Sequence, residues 1–172
     1  MKLFFLTLLP ILLLGASHRT PSIVENDDGS LRLRERAFTI EGDLLDKRKY
    51  ELFFSMKLNI MKRDQMYPWD TAKFYIGTDG WNPATLIDSL GLNVRGRSIV
   101  IPEKSYSDIS ISGFDCIWLE EVKDTLIIVI RGGDGTASFW ARLYCVEGKV
   151  TERQIISFNP DGEFDVHRID KY

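Results

Sequence analysis

The chain has 172 residues, with 22 Lys and Arg against 25 Asp and Glu and a formal net charge of −3. That mildly acidic balance, with both signs interspersed, excludes a basic surface for nucleic acid: Arg32, Arg34 and Arg36 alternate with Leu33 and Glu35 instead of forming a block. One domain of this length buries a core without disulfide or metal staples, and no repeat, low-complexity tract or internal linker divides it.

In chain order, Met1-Lys2 is a short positive start, Leu3 to Leu14 is an apolar run broken only by Thr7 and Pro10, and Gly15-Ala16-Ser17 supplies small residues. This is the pattern of a cleavable signal peptide over residues 1–17, so a mature chain starting at or near His18 is expected, secreted or periplasmic. The run is shorter than the ~20 apolar residues of a membrane-spanning helix, so no span remains after cleavage. Residues 18–29 are polar and aperiodic and read as a disordered N-terminal segment, with Asn26-Asp27-Asp28-Gly29 as a turn. Residues 30–172 read as a single β domain.

Within that domain, Leu31 to Ile40 alternates like a strand but changes parity near Glu35-Arg36-Ala37, which predicts a β-bulge there. Tyr50, Leu52, Phe54, Met56, Leu58 and Ile60 share one face of a long strand. Lys73–Ile76, Ser98–Ile101 and Ile109–Ile111 read as short strands. Thr85 to Leu90, followed by Gly91, reads as one or two helical turns with a glycine cap.

The C-terminal third predicts a four-strand meander over 114–121, 125–131, 138–146 and 149–158, because its connections are too short for anything but antiparallel neighbours. With a three-residue Val-Lys-Asp turn, Cys116, Trp118, Leu126, Ile128, Ile130, Phe139, Ala141 and Leu143 share a face. Ile117, Leu119, Ile127, Val129, Trp140, Arg142 and Tyr144 then share the other. Both faces are apolar enough to need cover. The expected fold is therefore all-β, an antiparallel sandwich or small barrel with at most one short helix. In the meander a third strand separates Cys116 from Cys145, so the two are expected as thiols, not as a disulfide.

The residues with catalytic potential do not assemble into a motif. Asp165 and His167 stand at alternate positions of a terminal strand, with no nucleophile elbow beside them. Asp161, Glu163 and Asp165 resemble the opening of a calcium loop but lack its sixth-position glycine and closing glutamate. Gly132-Gly133-Asp134-Gly135 leads into a strand and not a helix, which makes it a hairpin loop and not a phosphate cradle. No catalytic residue, metal ligand or cofactor is expected on these grounds.

Recognition chemistry concentrates between Met66 and Asn82. Tyr67, Trp69, Asp70, Asp79 and Trp81 lie among Pro, Gly, Asp and Asn, which favour loops. Aromatic faces beside polar groups suit a carbohydrate or another exported protein, and these five residues are the expected ligand-binding set. The competing reading has the tryptophans closing one end of the core. A carboxylate-based hydrolase and a structural envelope or matrix component are the alternative functions.

Overall fold

Period-2 alternation dominates the chain, and nearly every alternating stretch forms a strand. The computed structural model describes residues 23–34, 37–60, 62, 75–77, 83–111, 116–133, 138–158 and 164–172. The expected signal segment, 1–17, lies outside the described residues. In chain order the strands are β1 (Ile23–Glu25), β2 (Leu31–Leu33), β3 (Ala37–Asp43), β4 (Lys49–Leu58), β5 (Thr85–Val94) and β6 (Arg97–Ile99). They continue with β7 (Ile117–Val122), β8 (Thr125–Gly132), β9 (Phe139–Val146), β10 (Lys149–Phe158) and β11 (Phe164–Lys171). A short 3-10 helix, Glu103–Ser105, follows β6.

The described strands form a four-stranded antiparallel sheet ordered β3-β4-β5-β6, a five-stranded one ordered β11-β10-β9-β8-β7, and a β1-β2 hairpin. This is an all-β sandwich, without closure into a barrel. Leu52, Phe54 and Met56 of β4, Ile87, Leu90 and Leu92 of β5, Ile128 and Ile130 of β8, and Ala141 and Leu143 of β9 share one buried cluster. Residues from both sheets meet there, so burial of their apolar side chains is the main force holding the layers together.

Hydrogen bonds stitch the layers on both flanks. Val100, just past β6, donates its N–H to Gly148 O at 2.9 Å and accepts from Val150 N at 2.8 Å. On the other flank Glu121 of β7 accepts from Leu45 N at 2.7 Å and from Arg48 at 3.0 Å, both in the β3–β4 loop.

Several sequence expectations change. Thr85–Leu90 is not helical: it opens β5, paired with β4 from Tyr50↔Val94 to Leu58↔Thr85. Long-range pairing overrides a helix that six residues could not sustain alone. A bulge at Asp88 shifts that register between Ser55 and Met56, which lets Leu86, Ile87 and Leu90 all be buried. The parity change near Ala37 does not mark a bulge in one strand. There the chain leaves the β1-β2 hairpin and enters the four-stranded sheet. Ile23–Glu25, within the segment read as lacking regular structure, pairs with β2 across the expected turn, where Gly29 donates to Asn26 O at 2.9 Å. Ser98–Ile101 contributes only its first half, to β6. Ile109 makes a single parallel bridge with Ile76, and Lys73 lies outside the described residues.

The meander has the expected order and gains β11 as a fifth strand. Its first strand is flipped. Val122 pairs with Thr125, so the β7–β8 turn holds two residues, Lys123 and Asp124, and Lys123 takes a φ of 56°. One residue fewer in a turn moves every side chain of the strand to the opposite face. Ile117 and Leu119 therefore join Ile128 and Ile130 on the inner face, while Trp118 moves to the outer face beside Val129.

Cys145 pairs with Leu126 at one end of β8, whereas Cys116 adjoins Ile117, which pairs with Ile130 at the other end. No disulfide joins them.

Candidate functional site

Phe139 and Trp140 divide between the two faces of β9, and each organises one side of the candidate site. Phe139 points inward and is fully buried. A Cβ on Gly132 would come within 2.5 Å of its ring and 2.7 Å of Ser110 O, and a Cβ on Gly77 would overlap the same ring. The two glycines are needed because Phe139 occupies the space their side chains would fill, and Gly77 also has a φ of 86°. Ile76 fixes this approach, donating to Asp108 O at 2.8 Å and accepting from Ser110 N at 3.0 Å.

Asn59, just past β4, ties neighbouring segments to the same end. Its backbone N–H donates to Ala84 O at 2.9 Å, and its side-chain amide donates to Pro83 O at 3.1 Å and accepts from Tyr75 OH at 3.4 Å. Thr85 then donates to Ile111 O at 2.8 Å. Tyr67, Trp69, Asp70, Asp79 and Trp81 themselves lie outside the described residues. Their described flanks, Asn59, Tyr75, Gly77 and Pro83, are thus held at one end of the sandwich, where β4 ends and β9 begins.

Trp140 points outward from β9. Cross-strand register aligns Trp118, Val129, Arg142, Gln154 and Ile169 in one row of the outer face, and Glu120, Ile127, Tyr144, Glu152 and Lys171 in the next. Trp118 and Trp140 meet edge to face, with centroids 6.4 Å apart and planes at 83°. Trp118 Nε1 donates to Glu120 at 3.0 Å, and the other Glu120 oxygen accepts from Arg142 at 2.6 Å. Tyr144 OH donates to Gln154 at 2.9 Å, and Gln154 donates to Glu152 at 2.7 Å. Arg142 Nε is buried and finds no hydrogen-bond acceptor among the described residues. The result is a half-buried aromatic pair beside a hydrogen-bonded strip of acid, guanidinium, phenol and amide, which can stack on a flat apolar face and bond to hydroxyl or amide groups around it. The sequence reading missed this pairing because it placed Trp118 inside. The two-residue Lys123-Asp124 turn was the signal that could have found it.

A second polar cluster is structural. Arg153 of β10 points inward and is 1% exposed. It donates to Asp108 at 2.5 and 3.1 Å, to Asp170 at 2.6 and 2.9 Å, and to Ser105 O at 3.3 Å. Burial works against its charge, but the bonds to Asp108 and Asp170 outweigh it and raise the guanidinium pKa above its ordinary value. Burial likewise works against the Asp170 carboxylate, yet Arg153 and Arg168 hold its pKa below the usual range. Each donor that Arg153 offers is used within the fold, so this knot fastens β11 and the 103–108 segment to β10.

The remaining chemical candidates do not converge. His167 is the extra residue of a bulge in β11, where Val166 pairs with Ile156 and Arg168 with Ile155. The period-2 alignment of Asp165 with His167 is thereby broken. Asp161 and Glu163 lie outside the described residues. Among the described residues no group of three or more His, Cys, Asp or Glu could hold a metal ion, and no helix is long and apolar enough to cross a membrane.

No protein-family model, no curated protein and no solved structure matches this chain.

Proposed function

We propose that this protein is an exported, non-catalytic β-sandwich that binds a carbohydrate or another exported protein through aromatic side chains. The observation that supports this reading is the Asn59 junction. One side chain and its backbone hold Tyr75, Pro83 and Ala84, the residues that flank the stretches bearing Tyr67, Trp69, Asp70, Asp79 and Trp81. Stretches whose described flanks are gathered in this way can serve one ligand. The Trp118–Trp140 pair extends aromatic surface from the same end onto the outer sheet face, since Trp140 follows Phe139 directly.

Alanine substitution separates a ligand platform from a core plug. A plug Trp replaced by Ala costs roughly 3–5 kcal/mol of stability, whereas a platform Trp costs little stability and much affinity. Thermal melts and glycan- and peptide-array binding of Trp69→Ala and Trp81→Ala are expected to show at least one variant with an unchanged melt and lost binding. Strong destabilisation of both without ligand would overturn this assignment.

A further inference from the structure

The opposite end of the sandwich is built from tight turns, and its exposed side chains follow a different pattern. Four connections meet there: the β3–β4 loop, the β5–β6 turn, the β7–β8 turn and the β9–β10 turn. Direct bonds and register hold them together. Leu45 N donates to Glu121, and Arg95 N donates to Lys49 O at 3.1 Å. The Leu126–Cys145 pairing sets the β9–β10 turn beside the β7–β8 turn, where Gly148 O accepts from Val100 N past β6. In two of the turns both central residues have positive φ, Arg95 with Gly96 and Glu147 with Gly148, which gives tight type I′ hairpins.

Large aliphatic side chains project from these supports into solvent: Leu45 is 82% exposed, Val100 64%, Val122 49% and Val146 44%. Leu45 is the clearest case. Its loop is clamped by Glu121, which bonds both Leu45 N and Arg48, while Arg48 also pairs with Asp46. A leucine nearly free of protein contact on a loop fixed in this way loses little conformational freedom when it enters an apolar phase. Lys47, Lys49, Arg95, Arg97, Lys123 and Lys149 are all exposed around these side chains and make no ion pair among the described residues. The acids at this end are Asp46 and Glu121, both paired with Arg48, and Asp43, Asp124 and Glu147. A cation excess thus collects at one end of a chain whose overall charge is −3.

We infer that this turn-bearing end docks on an anionic phospholipid surface. Leu45 and the neighbouring valines enter the headgroup boundary, and the surrounding lysines and arginines engage lipid phosphates. Apolar insertion and cation attraction are the two additive terms of interfacial membrane binding, and neither one alone holds a protein firmly. The charge asymmetry orients the approach: the cationic end faces the membrane and the rest, which is net acidic, faces away. Docking would leave the Asn59 end and its candidate ligand site pointing outward, and it does not depend on that site.

The test is co-sedimentation of the full protein with vesicles of phosphatidylcholine alone and of phosphatidylcholine with 30% phosphatidylglycerol (~30%, to mimic an anionic leaflet). The expected result is binding to the anionic vesicles, weakened by salt. Leu45→Ala should lower partitioning about tenfold, and the double variant Lys123→Glu, Lys149→Glu about 25-fold or more. All three side chains are exposed, and thermal melts confirm that the variants fold. The readout is the difference between variants, which any apolar contribution from residues 3–14 leaves unchanged. Equal partitioning onto neutral and anionic vesicles, or binding that neither variant weakens, would overturn the inference.

Discussion

Arg153 illustrates how a charged residue can belong to a core. Its position on the inner face of β10 follows from register, opposite Leu143, where an apolar side chain would be expected. Two carboxylates and a backbone carbonyl satisfy it, and removing one partner from a buried pair leaves an uncompensated charge. The folded state holds the Asp170 pKa below 3.8, so its charge stabilises the fold at pH above that ordinary value. The contribution is lost as the pH falls through the lower folded value. Asp170→Asn is therefore expected to be about 2 kcal/mol less stable than the parent at neutral pH. That is less than the roughly 3–5 kcal/mol of a fully broken buried pair, since Asp108 still engages Arg153. Denaturant titrations should show the two proteins converge as the pH falls through the lowered pKa of Asp170; a gap that persists once that carboxylate is protonated would contradict this expectation. Cys145 gives a second expectation at this scale. Burial pushes its thiol pKa up to about 12, so the reactive thiolate is scarce at neutral pH. Iodoacetamide followed by mass spectrometry should leave Cys145 unlabelled in the native protein and labelled after unfolding. A 116–145 linkage in unreduced protein would contradict the strand order of the meander.

At the scale of elements, what was readable depended on whether local pattern or long-range pairing decided the outcome. The β4 alternation from Tyr50 to Ile60 reads directly, because one buried face leaves little choice of register. The C-terminal meander reads from its short connections. Thr85–Leu90 does not, because Thr-Leu-Ile-Asp-Ser-Leu is compatible with a helical turn, and only pairing with β4 makes it a strand; β6 joins β5 further along, at Leu92–Val94. The face of β7 does not read either, because a turn of two residues and one of three differ by a single position. Of the candidate site, the aromatics between Met66 and Asn82 stand out by composition. The Trp118–Trp140 pair and the role of Asn59 depend on tertiary contacts that no local pattern encodes. The packing of Phe139 on Gly77 gives the element-scale test. Gly77→Ala puts a methyl group into the Phe139 ring at a positive φ, and overpacking of this kind costs about 1–3 kcal/mol, with backbone strain added. A thermal melt unchanged by Gly77→Ala would show that the ring does not rest there.

The whole molecule is polarised along its strands. One end gathers Asn59, Gly77, Gly132 and Phe139 and the flanks of the aromatic stretches, and the other carries tight turns with exposed aliphatic and basic side chains. Two sheets, stitched through Val100 on one flank and Glu121 on the other, hold the ends apart. In the functional reading, the aromatic end meets a ligand that it does not transform. The most direct test is to capture ligands for the protein on glycan and peptide arrays and then to weigh the eluted ligand by mass spectrometry. Retention of a discrete ligand set is expected, recovered with its mass unchanged, with loss of that retention in folded Trp140→Ala protein, whose melting temperature falls by no more than the lost Trp118 contact accounts for. Recovery of a cleaved ligand, or retention that Trp140→Ala, Trp69→Ala and Trp81→Ala all leave intact, would contradict it.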